Sequence, residues 1–295
     1  MPLQRQLKRW RSRWNWGRRH VPYPLVHAFL RGQSHWLQWR ARASQPVRRS
    51  AFENVYFCGT IKSGSQWLTA LFSDWEVYRH SGLVFYDFLH REFRGRETRR
   101  RMTERAYPRG FSPRTVTGCL CIDYPSFQTI PRPGTWRAFF VRRDPRDLVV
   151  SWYFSTRNSH ILNGKDMVAA REKLRSLSKE DGLLYAIDWL EDYGLFQAIR
   201  SWDGVEDPNV RVVRYEDLAG PESAENLRDL FRFLDIDLPE ESFRRLVAAY
   251  SFETLSGGRK PGEADEQSHV RKGVAGDWRN HFTERVEERV GGLGG

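Results

Sequence analysis

The stretch NVYFCGTIKSGSQWLTALF, residues 54–72, decides the fold. Asn54–Cys58 is a short, mainly apolar run of strand type. Gly59 to Ser65 then turns the chain with two glycines and two serines. Beyond the turn, Trp67, Leu68, Leu71 and Phe72 recur at i, i+1, i+4 and i+5, which is one face of a helix. A strand that turns into a helix in this way exposes backbone N–H groups beside the positive helix end, where an anion can bind. In the loop G-x-x-x-x-G-K-[ST] the lysine directly follows the second glycine. Here Lys62 precedes Gly64 by two residues and Ser65 follows that glycine. Lys62 adds a mobile charge, and Ser63 and Ser65 add hydroxyl donors. Taken alone, the loop also reads as a tight turn with no ligand.

Further along, WRAFFV (136–141) is the clearest buried strand. It runs into RRDPRDLVVSWYFS, where Asp144 suits an N-cap and Pro145 the first helical turn. VRVVRY (210–215) reads as another strand, and Cys119–Ile122 as one ended by Asp123-Tyr-Pro125. Helical patterns span roughly 181–202 and 222–255, and 256–276 is a Gly-rich loop. The Arg-rich stretch 91–105 looks exposed. Strands alternating with helices predict an α/β fold, a central parallel sheet flanked by helices. No internal repeat is visible.

The chain has 295 residues, 40% hydrophobic and 14% aromatic, which excludes a disordered protein. No apolar run approaches the ~20 residues of a spanning helix. The N-terminus lacks the apolar core of a secretory signal. Three cysteines, Cys58, Cys119 and Cys121, suggest buried strand thiols, not a disulfide framework or a zinc site. The chain reads as cytoplasmic. Its net charge of +11 is unevenly spread. Residues 1–50 hold 12 basic and no acidic residues, leaving 36 basic against 37 acidic for the rest. The reading is a basic, Trp-rich extension (1–50) ahead of one domain (51–295). The extension carries Trp10, Trp14, Trp16, Trp36 and Trp39. Arginines with interleaved indoles suit an anionic membrane surface. They also suit nucleic acid, or an arm wrapped over its own domain. Peripheral membrane contact is the expectation taken forward, with no nucleic-acid partner.

Two further clusters bear on ligands. RRDPRDLVVS places Arg143 at a strand end and Ser151 about two helical turns on, so a fork of N–H donors and a hydroxyl can hold a second phosphate. The bland alternative pairs Arg143 and Arg146 with Asp144 and Asp147. RKGVAGDWRNHFT (271–283) sets two cations beside a glycine, in a loop able to close over an anion.

Together, IKSGSQW, RRDPRDLVVS and RKGVAGDWRNHFT resemble, in order, the 5′-phosphosulfate loop, 3′-phosphate segment and closing loop of the PAPS-dependent sulfotransferases. The resemblance covers residues 54–283 and implies a P-loop-like sulfotransferase fold. It implies PAPS (3′-phosphoadenosine 5′-phosphosulfate) as co-substrate, no metal, and a hydroxyl-bearing small-molecule acceptor. By this resemblance Lys62 and the N–H groups of Lys62, Ser63, Gly64, Ser65, Gln66 and Trp67 hold the 5′ end. Arg143, Ser151, Arg271, Lys272 and Gly273 hold the 3′-phosphate. Trp67 and Phe252 stack on the adenine, and Tyr215 touches it. Lys62 is expected to be catalytic, beside the departing phosphate oxygen.

Two positions depart from the family pattern. Gln66 stands where many members have threonine, and Asp123 where many have a catalytic histidine. Asp123 is the expected base, with His80, Asp87 and His90 as rivals. A nucleotide kinase with an altered phosphate loop, or an inactive anion-binding or membrane-binding module, are the competing readings. Trp75, Tyr78, Phe85, Tyr86, Phe88 and Phe93 suit either an acceptor pocket or an aromatic core.

Overall fold

In the computed structural model, which describes residues 32, 35–87, 101–160 and 165–291, the central strand β1 (Asn54–Gly59) is buried at every position. A strand covered on both faces carries apolar residues without alternation, which VYFC supplies. The chain continues through α1 (Ser65–Phe72), α2 (Trp75–Arg79), β2 (Val84–Tyr86), β3 (Thr115–Thr117), β4 (Leu120–Cys121), α3 (Tyr124–Gln128) and β5 (Trp136–Arg142). Next come α4 (Pro145–Phe154), a π-helical turn (Ser155–Ser159), α5 (Lys165–Ser176), α6 (Lys179–Asp192), α7 (Leu195–Ser201) and β6 (Val210–Arg214). The remainder is helical or loop: α8 (Tyr215–Ala219), α9 (Ser223–Phe233), α10 (Glu240–Ala249), α11 (Phe252–Ser256) and α12 (Glu284–Gly291).

The pairs are parallel and the order is β2-β3-β1-β5-β6, with β4 also pairing β1. After β1 the chain winds toward β2, and it returns to β1's other side only at β5. The order therefore reverses between β1 and β5. A crevice at such a switch point, beyond the carboxyl ends of the strands, is where α/β sheets bind ligands. In register Gly59 lies opposite both Cys121 and Val141. The turn after β1, the segment after β4 and the start of α4 thus open onto one edge.

Alternate residues of β1 serve two cores. Phe57 stacks on Phe139 at 4.8 Å in the layer that includes Phe72 and Phe231. Tyr56 and Cys58 face the layer where Phe140 stacks on Trp202 at 4.6 Å. All three cysteines are buried and free. β2 and β3 had no separate signal in the sequence, and the 119–122 run is a strand only at Leu120–Cys121. The 181–202 stretch is two helices, because Gly194 adopts φ 78° and caps the second.

The boundary at residue 50 does not coincide with the packing. Residues 35–42 are helical. The Tyr78 hydroxyl donates to the carbonyls of Ala41 and Ser44, both at 2.7 Å. The Arg40 guanidinium lies 3.7 Å over the Trp75 ring, and Arg48 pairs with Asp235. Trp36 and Trp39 stay 37% and 66% exposed. Trp10, Trp14 and Trp16 lie outside the described residues. Among the described residues no helix is long and apolar enough to cross a membrane.

Candidate anion-binding site

The turn after β1 is built to face its backbone outward. Ser63 is fully buried, its hydroxyl donating to the Thr60 carbonyl at 2.8 Å and accepting from Thr60 N–H at 3.3 Å. Its side chain therefore shapes the turn, and the expected hydroxyl contact to a ligand is corrected. Lys62 adopts φ 68° and Gly64 φ 82°. A Cβ at Gly64 would come within 2.9 Å of the Tyr215 ring, so only glycine fits. No side chain caps α1, and its first bond runs from Leu68 N–H to the Gly64 carbonyl. The N–H groups of Ser65, Gln66 and Trp67 are thus free of helical partners at the helix's positive end. The exposed Gln66 offers its backbone here, which the absent threonine does not alter.

Arg143 arrives from the end of β5. Its guanidinium donates to the Lys62 carbonyl at 2.8 Å and lies 4.2 Å over the Tyr215 ring. Its buried Nε has no hydrogen-bond partner among the described residues. The pairing of Arg143 with Asp144 or Asp147 is not what forms. Arg146 takes both oxygens of Asp144, at 2.9 and 2.7 Å. Asp147 instead accepts the N–H groups of Gly276 and Trp278, at 2.6 and 3.0 Å. This ties the closing loop to α4.

The closing loop lies over the same cluster. The Arg271 guanidinium sits 4.8 Å from the Phe154 ring, one turn along α4 from Ser151. A Cβ at Gly273, which has φ 69°, would run into the Phe252 ring, so loop and α11 meet there. Trp67 crosses Tyr215 edge-on at 6.5 Å and donates from Nε1 to the Tyr250 carbonyl at 2.8 Å. Lys62, Arg143, Tyr215, Trp67 and Gly64 are joined by direct contacts. Arg271 joins them through the charge it exerts on Lys62.

Lys62 is half-buried in the turn. Burial, then the nearby Arg143 and Arg271, lowers its pKa from 10.5 to about 7. Sequence reasoning passed over His160, since eight histidines are scattered along the chain. His160 follows the π-helical turn, with its carbonyl held by Arg171 at 2.5 Å. Burial, and then the charges of Lys62 and Arg171, lower its pKa to about 3. Only its place in the fold, after the π-helical turn and beside Arg171, reveals it.

Asp123 lies at the right sheet edge but is occupied. It is 6% exposed and caps α3, Oδ1 accepting Ser126 N–H at 3.1 Å. His80 is buried and 3.7 Å from Glu76, in α2. His90, Phe88 and Phe93 lie outside the described residues. Tyr78 and Phe85 are buried, the half-buried Trp75 packs 4.6 Å from Tyr78, and all three line one small cavity beside α2.

A profile described as the sulfotransferase domain matches residues 136–291, from β5 to the end of α12. The chain belongs to the sulfotransferase family. Sulfotransferase 6B1 of Danio rerio is 27% identical over 158 residues, 51% of this chain and 48% of that protein. Sulfotransferase 2A1 of Homo sapiens is 25% identical over 156 residues, 50% and 51% of the two chains. The matched part of the chain spans about half the length of these relatives. Mouse sulfotransferase SULT7A1, solved in complex with PAP, shares the fold at TM-score 0.56 and 18% identity, over 83% of this chain and 84% of that one. A retinol dehydratase, in complex with androsterone and inactive cofactor PAP, gives 0.51 at 18% identity, over 81% and 79%. The family match thus covers Arg143, Ser151 and the closing loop, whereas the Lys62 turn lies upstream of it.

Proposed function

We propose that the chain transfers the sulfuryl group of PAPS to a hydroxyl of a small-molecule acceptor by in-line displacement. The observation that carries this reading is the pairing of two separate anion sites at one sheet edge. Lys62 and the uncapped end of α1 form the first. The second comprises Arg143, whose Nε has no partner among the described residues, Ser151 and the cations of the closing loop. PAPS has anions at both ends of its ribose, and PAPS would supply the transferable sulfuryl group. The Lys62 ammonium would meet the charge that develops on the departing phosphate oxygen. Trp67 and Phe252 would flank the adenine, with Tyr215 at its edge. The cations of the site account for the developing charge without a metal ion.

For the acceptor's proton, the reading moves from Asp123 to His160. Burial, and after it the charge of Lys62, lowers its pKa, so the ring stands within electrostatic reach of that ammonium. An anion bound at Lys62 would raise its proton affinity. Asp123 serves α3 instead. The chain's first 34 residues, with their arginines and tryptophans, would face an anionic membrane surface.

Adenosine 3′,5′-bisphosphate (PAP) should raise the melting temperature with its concentration, because it binds the native state. ATP with Mg²⁺ should do much less. Equal shifts from the two would favour the kinase reading.

A further inference from the structure

Arg271 and Lys272 are neighbours in sequence, so an extended chain would send their side chains to opposite sides. Here both turn to the same carboxylate. Arg271 Nη2 forms an ion pair with Asp277 Oδ2 at 2.6 Å, and Oδ1 accepts from Lys272 Nζ at 2.5 Å. Asn280 Nδ2 donates to Oδ1 at 2.9 Å, and His281 Nε2 lies 3.1 Å from Oδ2. The Asp277 side chain is 1% exposed, whereas those of Arg271 and Lys272 are 14% and 22% exposed. The carboxylate is therefore inside the loop and its two cations reach outward past it.

We propose that Asp277 is a positioning residue that aims Arg271 and Lys272 at the 3′-phosphate, an inference that rests on the PAPS reading above. A buried carboxylate persists only where it is paired and fully hydrogen-bonded, as this one is. Burial alone would raise its pKa, but the bonds from His281, Lys272, Asn280 and Arg271 hold it well below the usual carboxylate range. A guanidinium and an ammonium each keep N–H donors to spare after one bond to Asp277. Two cations against one carboxylate also leave net positive charge for a phosphate.

A second carboxylate fixes where this group stands. Asp147 accepts the N–H groups of Gly276 and Trp278, the residues on either side of Asp277. Asp147 lies on α4 one turn before Ser151. The hydroxyl and the two cations are thus held in one frame by Asp147 and Asp277, neither of which needs to touch the ligand. Gly273 at φ 69° and Gly276 at φ 77° supply the bends that let the loop fold back.

Calorimetric titration of the full chain with PAP and with AMP, which lacks the 3′-phosphate, tests this role. In the unaltered chain PAP should bind more tightly than AMP. Asp277→Asn should weaken PAP by about tenfold or more, the scale of misdirected charged hydrogen bonds, and leave AMP affinity unchanged. Asp277→Glu keeps the charge but displaces it, and should fold and lose part of the preference for PAP. Equal loss for both ligands in either folded variant, or an unaltered preference in both, would overturn the positioning role. Loss of folding in both variants would make Asp277 a fold residue and also overturn it. Failure of the unaltered chain to prefer PAP would instead count against the PAPS reading itself.

Discussion

Lys62 is both strained and desolvated. A non-glycine residue at φ 68° costs on the order of 1–3 kcal/mol, and packing against Arg143 maintains it. Lys62→Ala should lower kcat by more than it raises KM for PAPS, because the charge matters most as the leaving oxygen ionises. Arg143→Ala should act mainly on PAPS affinity. Near-normal turnover in the Lys62 variant would remove the turn from the site. The lowered pKa makes a separate prediction for the ligand-free chain. A lysine that holds its proton less well folded than unfolded imposes its full penalty below about pH 7, relieved as pH climbs toward 10.5. Lys62→Met should therefore raise Tm most below about pH 7, with the gain fading toward pH 10.5. A gain that does not vary with pH would contradict the shift.

Among the elements, β1, β5, β6, α1 and α4 were legible because each carries a run rich in apolar or β-branched residues, a helical periodicity or a cap. Asp144 and Pro145 open α4 as their residue types require. β2 and β3 were not legible: each has only three residues, and parallel pairing with distant neighbours sustains them. The same limit governs Asp123. Its place next to Tyr-Pro fits both a helix cap and a catalytic carboxylate, and only the bond to Ser126 N–H reveals the cap. Asp123→Ala should cost about 1 kcal/mol of stability, and Asp123→Asn, also a good cap, much less. Turnover should stay ordinary in Asp123→Asn and fall by about 10²-fold in His160→Gln, as for a lost general base. The opposite ranking of kcat values would return the proton to Asp123.

For the whole molecule, the charge imbalance marked residues 1–50 as distinct but could not show where packing begins. Ala41, Ser44, Arg48 and Ser50 contact the domain through hydrogen bonds and ion pairs, which leave no periodic trace in sequence. Removing residues 1–34 should leave transfer to soluble acceptors intact and abolish binding to anionic vesicles. In the full chain that binding should weaken with salt, since exposed charges are screened over ~10 Å at 0.1 M. Vesicle binding that survives truncation would place it elsewhere on the surface. The three proposed ligand-binding segments were legible in order, whereas their connection through Asp147 and Asp277 was not, because in sequence Asp147 reads as a partner of the neighbouring arginines and Asp277 carries no signal of its own. The most direct test of the central claim follows the sulfuryl group itself. Sulfur-labelled PAPS is incubated with the chain and a panel of phenol, sugar and lipid hydroxyls. Label should appear on an acceptor as PAP forms in equal amount, and both should vanish in Lys62→Met. Intact PAPS across the whole panel, with transfer of the terminal phosphate of ATP in its place, would contradict the account.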